Sequence, residues 1–242
     1  MHDLLKKSCF LLLFSSLFSY SLFAQQPYQL NTAGELGVIG GAAGLNGIAG
    51  YIAAKMDVLS PNDLENLNPN TIWGIDRWVT TQYHSGAKKS SDIALFSSFA
   101  LPLTLLAQES ARNDLGTVGL LTLETLLINS SLTNITKVSV RRTRPFVYNP
   151  DAPLHLKLDK KARYSFFSGH TSTTAALSFM TAQLHSDYSG KSDWAVWSLA
   201  AAIPAFTGIQ RMRAGKHFLT DVLLGYIVGA GVGILVPSLH KL

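Results

Sequence analysis

Hydrophobic positions fall into six long runs separated by polar stretches: residues 36–54, 93–108, 115–136, 171–184, 194–210 and 222–236. Five of the runs hold no charged residue, and 115–136 holds only Glu124, with Asn129 and Asn134 as its other conspicuous polar positions. None shows the strict apolar–polar alternation of a half-buried strand. The pattern predicts an all-α protein, a bundle of about six apolar helices. Pro102 and Pro204 lie inside two of the runs. The run 36–54 carries Gly37, Gly40, Gly41, Gly44, Gly47 and Gly50. Small residues at such spacing permit close helix packing and also weaken a helix.

Between the runs, residues 57–92 contain Pro61, Pro69, an amphipathic stretch from Trp73 to Trp78 and a polar tract from Ser85 to Ser91. This predicts an extramembrane or interfacial connection. The segment 144–167 holds Pro145, Pro150 and Pro153 and reads as a loop that is exposed or lines a site.

Composition moves the bundle into a membrane. Of 242 residues, 47% are hydrophobic and only 14% charged, where soluble domains carry about 25% charged. A disordered chain, a collagen-like repeat and a disulfide scaffold are excluded. A 16-residue helix is about 24 Å long against a hydrocarbon core of about 30 Å, so the shorter runs need flanking residues to span; a soluble bundle is the alternative. Near the start, Lys6 and Lys7 precede an apolar run ending at Leu22-Phe23-Ala24, the pattern of a signal peptide cleaved after Ala24 or of an N-terminal anchor. Either directs the chain to a bacterial-type cell envelope, with residues 25–242 forming one domain. The single cysteine, Cys9, lies in that segment, so the rest of the chain offers no thiol chemistry.

The net charge of +5 is unevenly placed. From Lys137 to Arg163 stand eight basic residues (Lys137, Arg141, Arg142, Arg144, Lys157, Lys160, Lys161 and Arg163) against Asp151 and Asp159. Such a cluster suits an anionic partner, or is a solvated loop beside a membrane helix. Apolar helices bracket it and no aromatics interleave it, which argues against nucleic acid.

Three polar clusters punctuate helix ends. The first runs from Lys137 to Arg144-Pro145; its two cations are two helical turns apart, on one face if the helix persists. The second is Phe167-Ser168-Gly169-His170, where Ser168 is a good N-cap and the free amides of a helix start bind anions. The third holds Arg211, His217 and Asp221; on a helix His217 and Asp221 share a face and can hydrogen bond, leaving the other imidazole nitrogen as base or nucleophile. Each has a bland alternative as a capped or charge-stabilised helix end. If successive helices alternate in direction, however, all three meet at one end of the bundle. They then form a bowl of cations and N–H donors suited to a tetrahedral oxyanion.

Lys-x6-Arg-Pro, Ser-Gly-His and Arg-x5-His-x3-Asp, in this order over residues 137–221, resemble the motifs of the type 2 phosphatidic acid phosphatase superfamily, which includes bacterial nonspecific acid phosphatases and vanadium haloperoxidases. Two positions depart from the family pattern: Phe167 stands where proline is usual before Ser-Gly-His, and Gln210 where serine is usual before the last arginine. The resemblance implies a metal-independent phosphatase without cofactor, acting on a phosphomonoester or pyrophosphate of a membrane lipid. It makes His217 the nucleophile, Asp221 its orienting carboxylate and His170 the general acid and then base. Lys137, Arg144, Ser168, Gly169 and Arg211 would hold the phosphoryl oxygens. A soluble periplasmic acid phosphatase and an inactive lipid-binding module are the alternatives. In the membrane branch the site faces outside, which places residues 57–92 outside. A spanning 36–54 then needs its N-terminus inside, in conflict with cleavage after Ala24. Either 36–54 spans and the N-terminal run is uncleaved, or the signal acts and 36–54 packs without crossing; the glycine density favours the second.

Overall fold

A computed structural model describes residues 26–242; the expected signal or anchor at 1–24 lies outside the described residues. Among the described residues, six helices of 14 residues or more make the bundle: α1 Thr32–Ala54, α2 Ser85–Ser98, α3 Leu115–Val140, α4 Gly169–Ser189, α5 Trp194–Arg213 and α6 Leu219–Leu239. No strand occurs among the described residues. Among the described residues four segments, Thr32–Ala54, Ser85–Ala107, Leu115–Tyr148 and Leu219–Leu239, are long and apolar enough to cross a membrane.

α4 is the central post, packed against α2, α3, α5 and α6, while α1 lies outermost on α3. Its composition explains its place. Thr171, Ser172, Thr174, Ser178 and Thr181 are all buried. Their side chains are small enough to admit close neighbours, and several hydroxyls bond within the helix, as Thr181 Oγ1 does to the Leu177 carbonyl at 2.8 Å. Ser168 caps the helix through Thr171 N, and Gly190, at φ 67°, ends it.

The glycines that bring helices together are not those of α1. A methyl on Gly37, Gly40, Gly41, Gly44, Gly47 or Gly50 would meet nothing within 4 Å. On α6, a methyl at Gly225 would stand 2.6 Å from the Ser168 carbonyl oxygen, and methyls at Gly229 and Gly233 would collide with the carbonyls of Ser172 and Ala176. This four-residue ladder seats α6 on the α4 backbone. α1 is joined to α3 by amides instead: Asn46 Nδ2 donates to Ser131 Oγ at 2.8 Å, and Asn134 Nδ2 donates to Asn46 Oδ1 at 2.9 Å. α1 keeps Leu36, Leu45, Ile48 and Tyr51 exposed, and Ile93, Phe96, Leu199, Phe206, Leu223 and Ile227 are exposed on other helices. This apolar belt is the lipid-facing surface of a membrane bundle.

Two helix boundaries differ from the sequence pattern. The polar tract 85–91, expected in the connection, forms the first turns of α2. Ser90 Oγ and Ser91 Oγ satisfy the helix's own carbonyls, and Lys88 pairs with Asp92 one turn on at 3.3 Å. α3 outlasts its apolar run and stops at Val140, where Arg141 turns left-handed at φ 52°. Lys137 and Arg144 therefore do not share a helical face. The remaining connection, 57–84, is short helical turns with Trp73 and Trp78 exposed, as suits an interfacial segment.

Candidate active site

The three motif clusters meet. α2, α4 and α6 start at the end of the bundle where α1, α3 and α5 finish. A cavity of about 380 Å³ there is lined by Lys137, Arg144, Gly169, His170, Arg211 and His217, among others. Beside it, Asp92, Phe96, Lys216 and again Arg144, His170 and Arg211 line a second hollow of about 500 Å³.

His217 is buried at the head of the α5–α6 connection. Its Nδ1 stands 2.6 Å from the Ser165 carbonyl oxygen. A carbonyl can only accept, so Nδ1 carries the proton and Nε2 keeps its lone pair. Burial, and then the positive charges of Arg144, Lys137 and Arg211, hold the imidazole well below its ordinary pKa, so the ring is neutral at physiological pH. The tautomer is fixed and the Nε2 lone pair is free of any proton.

Asp221 does not orient that ring directly. Its Oδ2 is 3.9 Å from His217 Nδ1. α6 begins at Leu219, so His217 and Asp221 are not on one helical face. The carboxylate instead accepts from Ser165 Oγ at 2.5 Å, Phe218 N at 2.8 Å and Arg142 Nη1 at 2.5 Å. It fixes Ser165, and Ser165 fixes His217. Arg142 also reaches Asp76 Oδ2 at 2.8 Å, and Asp76 accepts from Thr220 N at 3.0 Å.

His170 opens α4. Its Nε2 is 2.9 Å from Asp92 Oδ1, so Nε2 donates to the carboxylate and Nδ1 is the nitrogen left to exchange a proton. Arg211 Nη1 lies 3.3 Å from the same oxygen, and Lys88 Nζ 3.3 Å from the other.

The cations are held by main-chain oxygens of the 164–167 turn. Lys137 Nζ donates to the carbonyls of Phe167 at 2.9 Å and Tyr164 at 3.2 Å, and Arg144 Nη2 also donates to Tyr164 at 3.2 Å. The Nε atoms of Arg144 and Arg211 are buried without a hydrogen-bond partner among the described residues. Two unmet guanidinium donors beside a cavity call for an oxyanion. Lys216 stacks over the Phe146 ring at 4.1 Å; burial and then nearby Arg144 and Arg211 lower its pKa to about 8.

Ser168 is placed differently from expectation. Its side chain is fully buried, its Oγ is 2.9 Å from Thr171 Oγ1, and it does not line the cavity. It shapes the helix start, while Gly169 lines the hollow. Phe167, the departure from the family pattern, is buried and serves through its carbonyl. Four participants escaped the sequence reading: Asp92, Ser165, Arg142 and Asp76. Asp92 sat in the supposed connection, although its spacing from Lys88 was a helical signal.

The family model of the PAP2 superfamily matches residues 118–242. The chain is 28% identical over 148 residues to a lipid A 4'-phosphatase of Porphyromonas gingivalis, covering 59% of this chain and 59% of that protein. It is 31% identical over 126 residues to phosphatidylglycerophosphatase B of Bacillus subtilis, covering 51% and 58%. The matched stretch is thus less than two thirds of either relative. Among solved structures, a transmembrane PAP2-type phosphatidylglycerolphosphate phosphatase from Bacillus subtilis aligns with a TM-score of 0.52 at 23% identity, covering 82% of this chain and 94% of that one, which shows a shared fold.

Proposed function

The chain belongs to the PAP2 superfamily, and from that premise we propose that it is a lipid-phosphate phosphatase working through a phosphohistidine. The observation that carries the proposal is one cavity joining the His217 Nε2 lone pair to two arginines with unmet Nε donors. Phe96, which lines the adjoining hollow, is 72% exposed on the lipid-facing surface of α2. A phosphate held by the cations would therefore have its apolar tail beside the bilayer. The names of the two relatives, both phosphatases of phosphorylated lipids, support the same substrate class.

In the first step His217 Nε2 attacks phosphorus. The bond to the lipid oxygen breaks with its electron pair on that oxygen. In the free site burial and then Arg211 lower the pKa of His170 to about 4. When the anionic phosphate offsets the arginines, His170 takes up a proton at Nδ1 and gives it to the leaving oxygen. Lys137, Arg144 and Arg211 hold the equatorial oxygens throughout. In the second step neutral His170 takes a proton from water, whose oxygen displaces His217 and releases inorganic phosphate. Three fixed cations supply the charge compensation at phosphorus, so no metal is assigned to the reaction. The cavity end is assigned to the extracytoplasmic face. With that face outside, a crossing α1 puts Asn31 on the opposite side, since its other end, Ala54, receives Lys160 Nζ near the cavity.

The test is phosphate release in detergent from a panel of lipid phosphates and an aryl phosphate, together with an alkaline dodecyl sulfate quench after labelled substrate. Wild type is expected to release phosphate and to yield an acid-labile, base-stable phosphoenzyme. His217→Ala is expected to do neither. A labelled His217→Ala protein, or release from no substrate by folded wild type, would overturn the proposal. Hydrolysis of a membrane-impermeant aryl phosphate by intact cells tests the face.

A further inference from the structure

The bundle carries a second polar cluster, at the end away from the cavity. Glu35 lies in the first turn of α1, Glu124 in the third turn of α3, and His240 just past α6. One ligand-capable atom from each lies within 4.8 Å of the others. His240 Nε2 is 3.1 Å from Glu35 Oε2 and 3.5 Å from Glu124 Oε2. Glu124 is fully buried, and neither of its carboxylate oxygens has a hydrogen-bond partner among the described residues. Buried carboxylate without a hydrogen bond is costly, and two carboxylates converging on one imidazole inside a membrane bundle make a place for a cation.

The histidine indicates which cation. His240 Nδ1 is 2.7 Å from the Val236 carbonyl oxygen. That carbonyl can only accept, so Nδ1 carries a proton, and Nε2 is the nitrogen aimed at the two carboxylates. This is how metal-binding imidazoles are held: the far N–H donates to a backbone carbonyl and the near nitrogen binds. Donor atoms about 2.0–2.1 Å from a tetrahedral zinc stand roughly 3.3 Å apart. The 3.1 and 3.5 Å separations to His240 bracket that value. One imidazole with two carboxylates is a borderline donor set, suited to zinc-like divalent ions better than to magnesium or calcium, which favour all-oxygen shells. His240 is partly exposed, which leaves a path for the ion and room for water in a fourth position.

We propose that Glu35, Glu124 and His240 bind one zinc-class divalent ion that clips the two chain ends of the bundle to α3. The surroundings fit such a clip. Gln29 N donates to the His240 carbonyl at 2.8 Å, Leu242 N to the Pro27 carbonyl at 3.0 Å, and Asn31 N to Glu35 Oε1 at 3.1 Å. The ion would fasten the start of α1 and the end of α6 where they already touch. The proposal does not depend on the catalytic reading, because none of its three residues lines the catalytic cavity.

The experiment uses the full chain purified in detergent, stripped with a chelator and titrated with Zn²⁺ by equilibrium dialysis, with bound metal measured by mass spectrometry. Wild type is expected to bind one ion per chain. At an ion concentration of 100 times Kd its Tm should rise by roughly 5–10 °C. Glu124→Gln and Glu35→Gln should lose the ion and the Tm response. Hydrolysis of an aryl phosphate checks that each variant is folded, and Glu35→Gln, at the bundle's edge, is the milder of the two. Wild type that takes up no zinc and shows no Tm response would overturn the proposal and make a proton the shared cation. Zinc binding that persists in both variants would overturn it equally, by placing the ion elsewhere.

Discussion

Replacing Asp92 by asparagine separates its charge from its shape. The carboxylate accepts from His170 Nε2 at 2.9 Å and faces Arg211 Nη1 and Lys88 Nζ at 3.3 Å each. Asparagine keeps an acceptor oxygen for His170 but removes the negative charge that stabilises its imidazolium. A hydrogen bond to a charged group is worth about 1.5–3 kcal/mol. The Asp92 side chain is 30% exposed, so solvent screening favours the lower half of that range. At about 1.4 kcal/mol per decade, kcat on a lipid phosphate should fall roughly 10–40-fold. The same change in a His170→Ala background should cost less than about 3-fold, because residues acting as one unit are not additive. Nitrophenolate departs without a proton, so with a nitrophenyl phosphate the Asp92→Asn defect in the first step should shrink. The assay is initial-rate phosphate and nitrophenolate release in detergent for the four members of the cycle. Equal losses in the presence and absence of His170 would refute the idea that Asp92 works through it, leaving the Arg211 contact as its role.

Other perturbations test the packing and the electrostatics. Gly229→Ala drives a methyl into the Ser172 carbonyl and should cost about 1–3 kcal/mol, whereas Gly41→Ala meets open space and should be neutral or gain up to about 1 kcal/mol of helix propensity; thermal unfolding of both in detergent checks the contrast. Lys216 is charged below about pH 8 and neutral above it, so KM for a lipid phosphate should rise as pH climbs through 8. Lys216→Met should show the high KM at all pH and a flat profile, and a wild-type KM that stays level to pH 9.5 would contradict this. Arg142 bridges the buried Asp76 and Asp221, and Arg142→Met leaves two carboxylates without their partner. A loss of about 3–5 kcal/mol is expected, read as a large fall in Tm.

The helices were legible because a charge-free run has few alternatives to an apolar helix, and their ends were misplaced where polar residues continue one. Ser85 to Ser91 read as a linker because no apolar stripe marks them, yet their hydroxyls serve the carbonyls of α2 itself. Glycine counting misled for a related reason. Spacing reveals that a helix can be approached closely, not which neighbour approaches; the ladder 225–229–233 meets α4, and the denser glycines of α1 meet nothing. The gathering of three motifs followed from alternating helix direction. What joins them did not, because Asp92 to His170 and Arg142 to Asp76 are contacts 78 and 66 residues apart, with no local pattern to announce them.

The turn 164–168 shows why motif spacing could bring the candidate residues together on paper without revealing what holds them. Its carbonyls at Ser165, Tyr164 and Phe167 hold His217, Arg144 and Lys137, and Ser168 N donates to the Asp221 carbonyl at 3.0 Å. His217 and two cations are thus positioned by backbone, whose identity no motif letter records. Asp221 contributes by pinning that backbone through Ser165 Oγ, one bond removed from the histidine it was expected to touch. The same logic accommodates Phe167 in place of proline: the Lys137 contact at that position is to a carbonyl, which every residue supplies, while the ring is buried. A site built this way constrains the shape of the 164–168 turn more tightly than the side chains along it. Ser165 is the exception, because its hydroxyl takes the Asp221 carboxylate while its carbonyl takes His217.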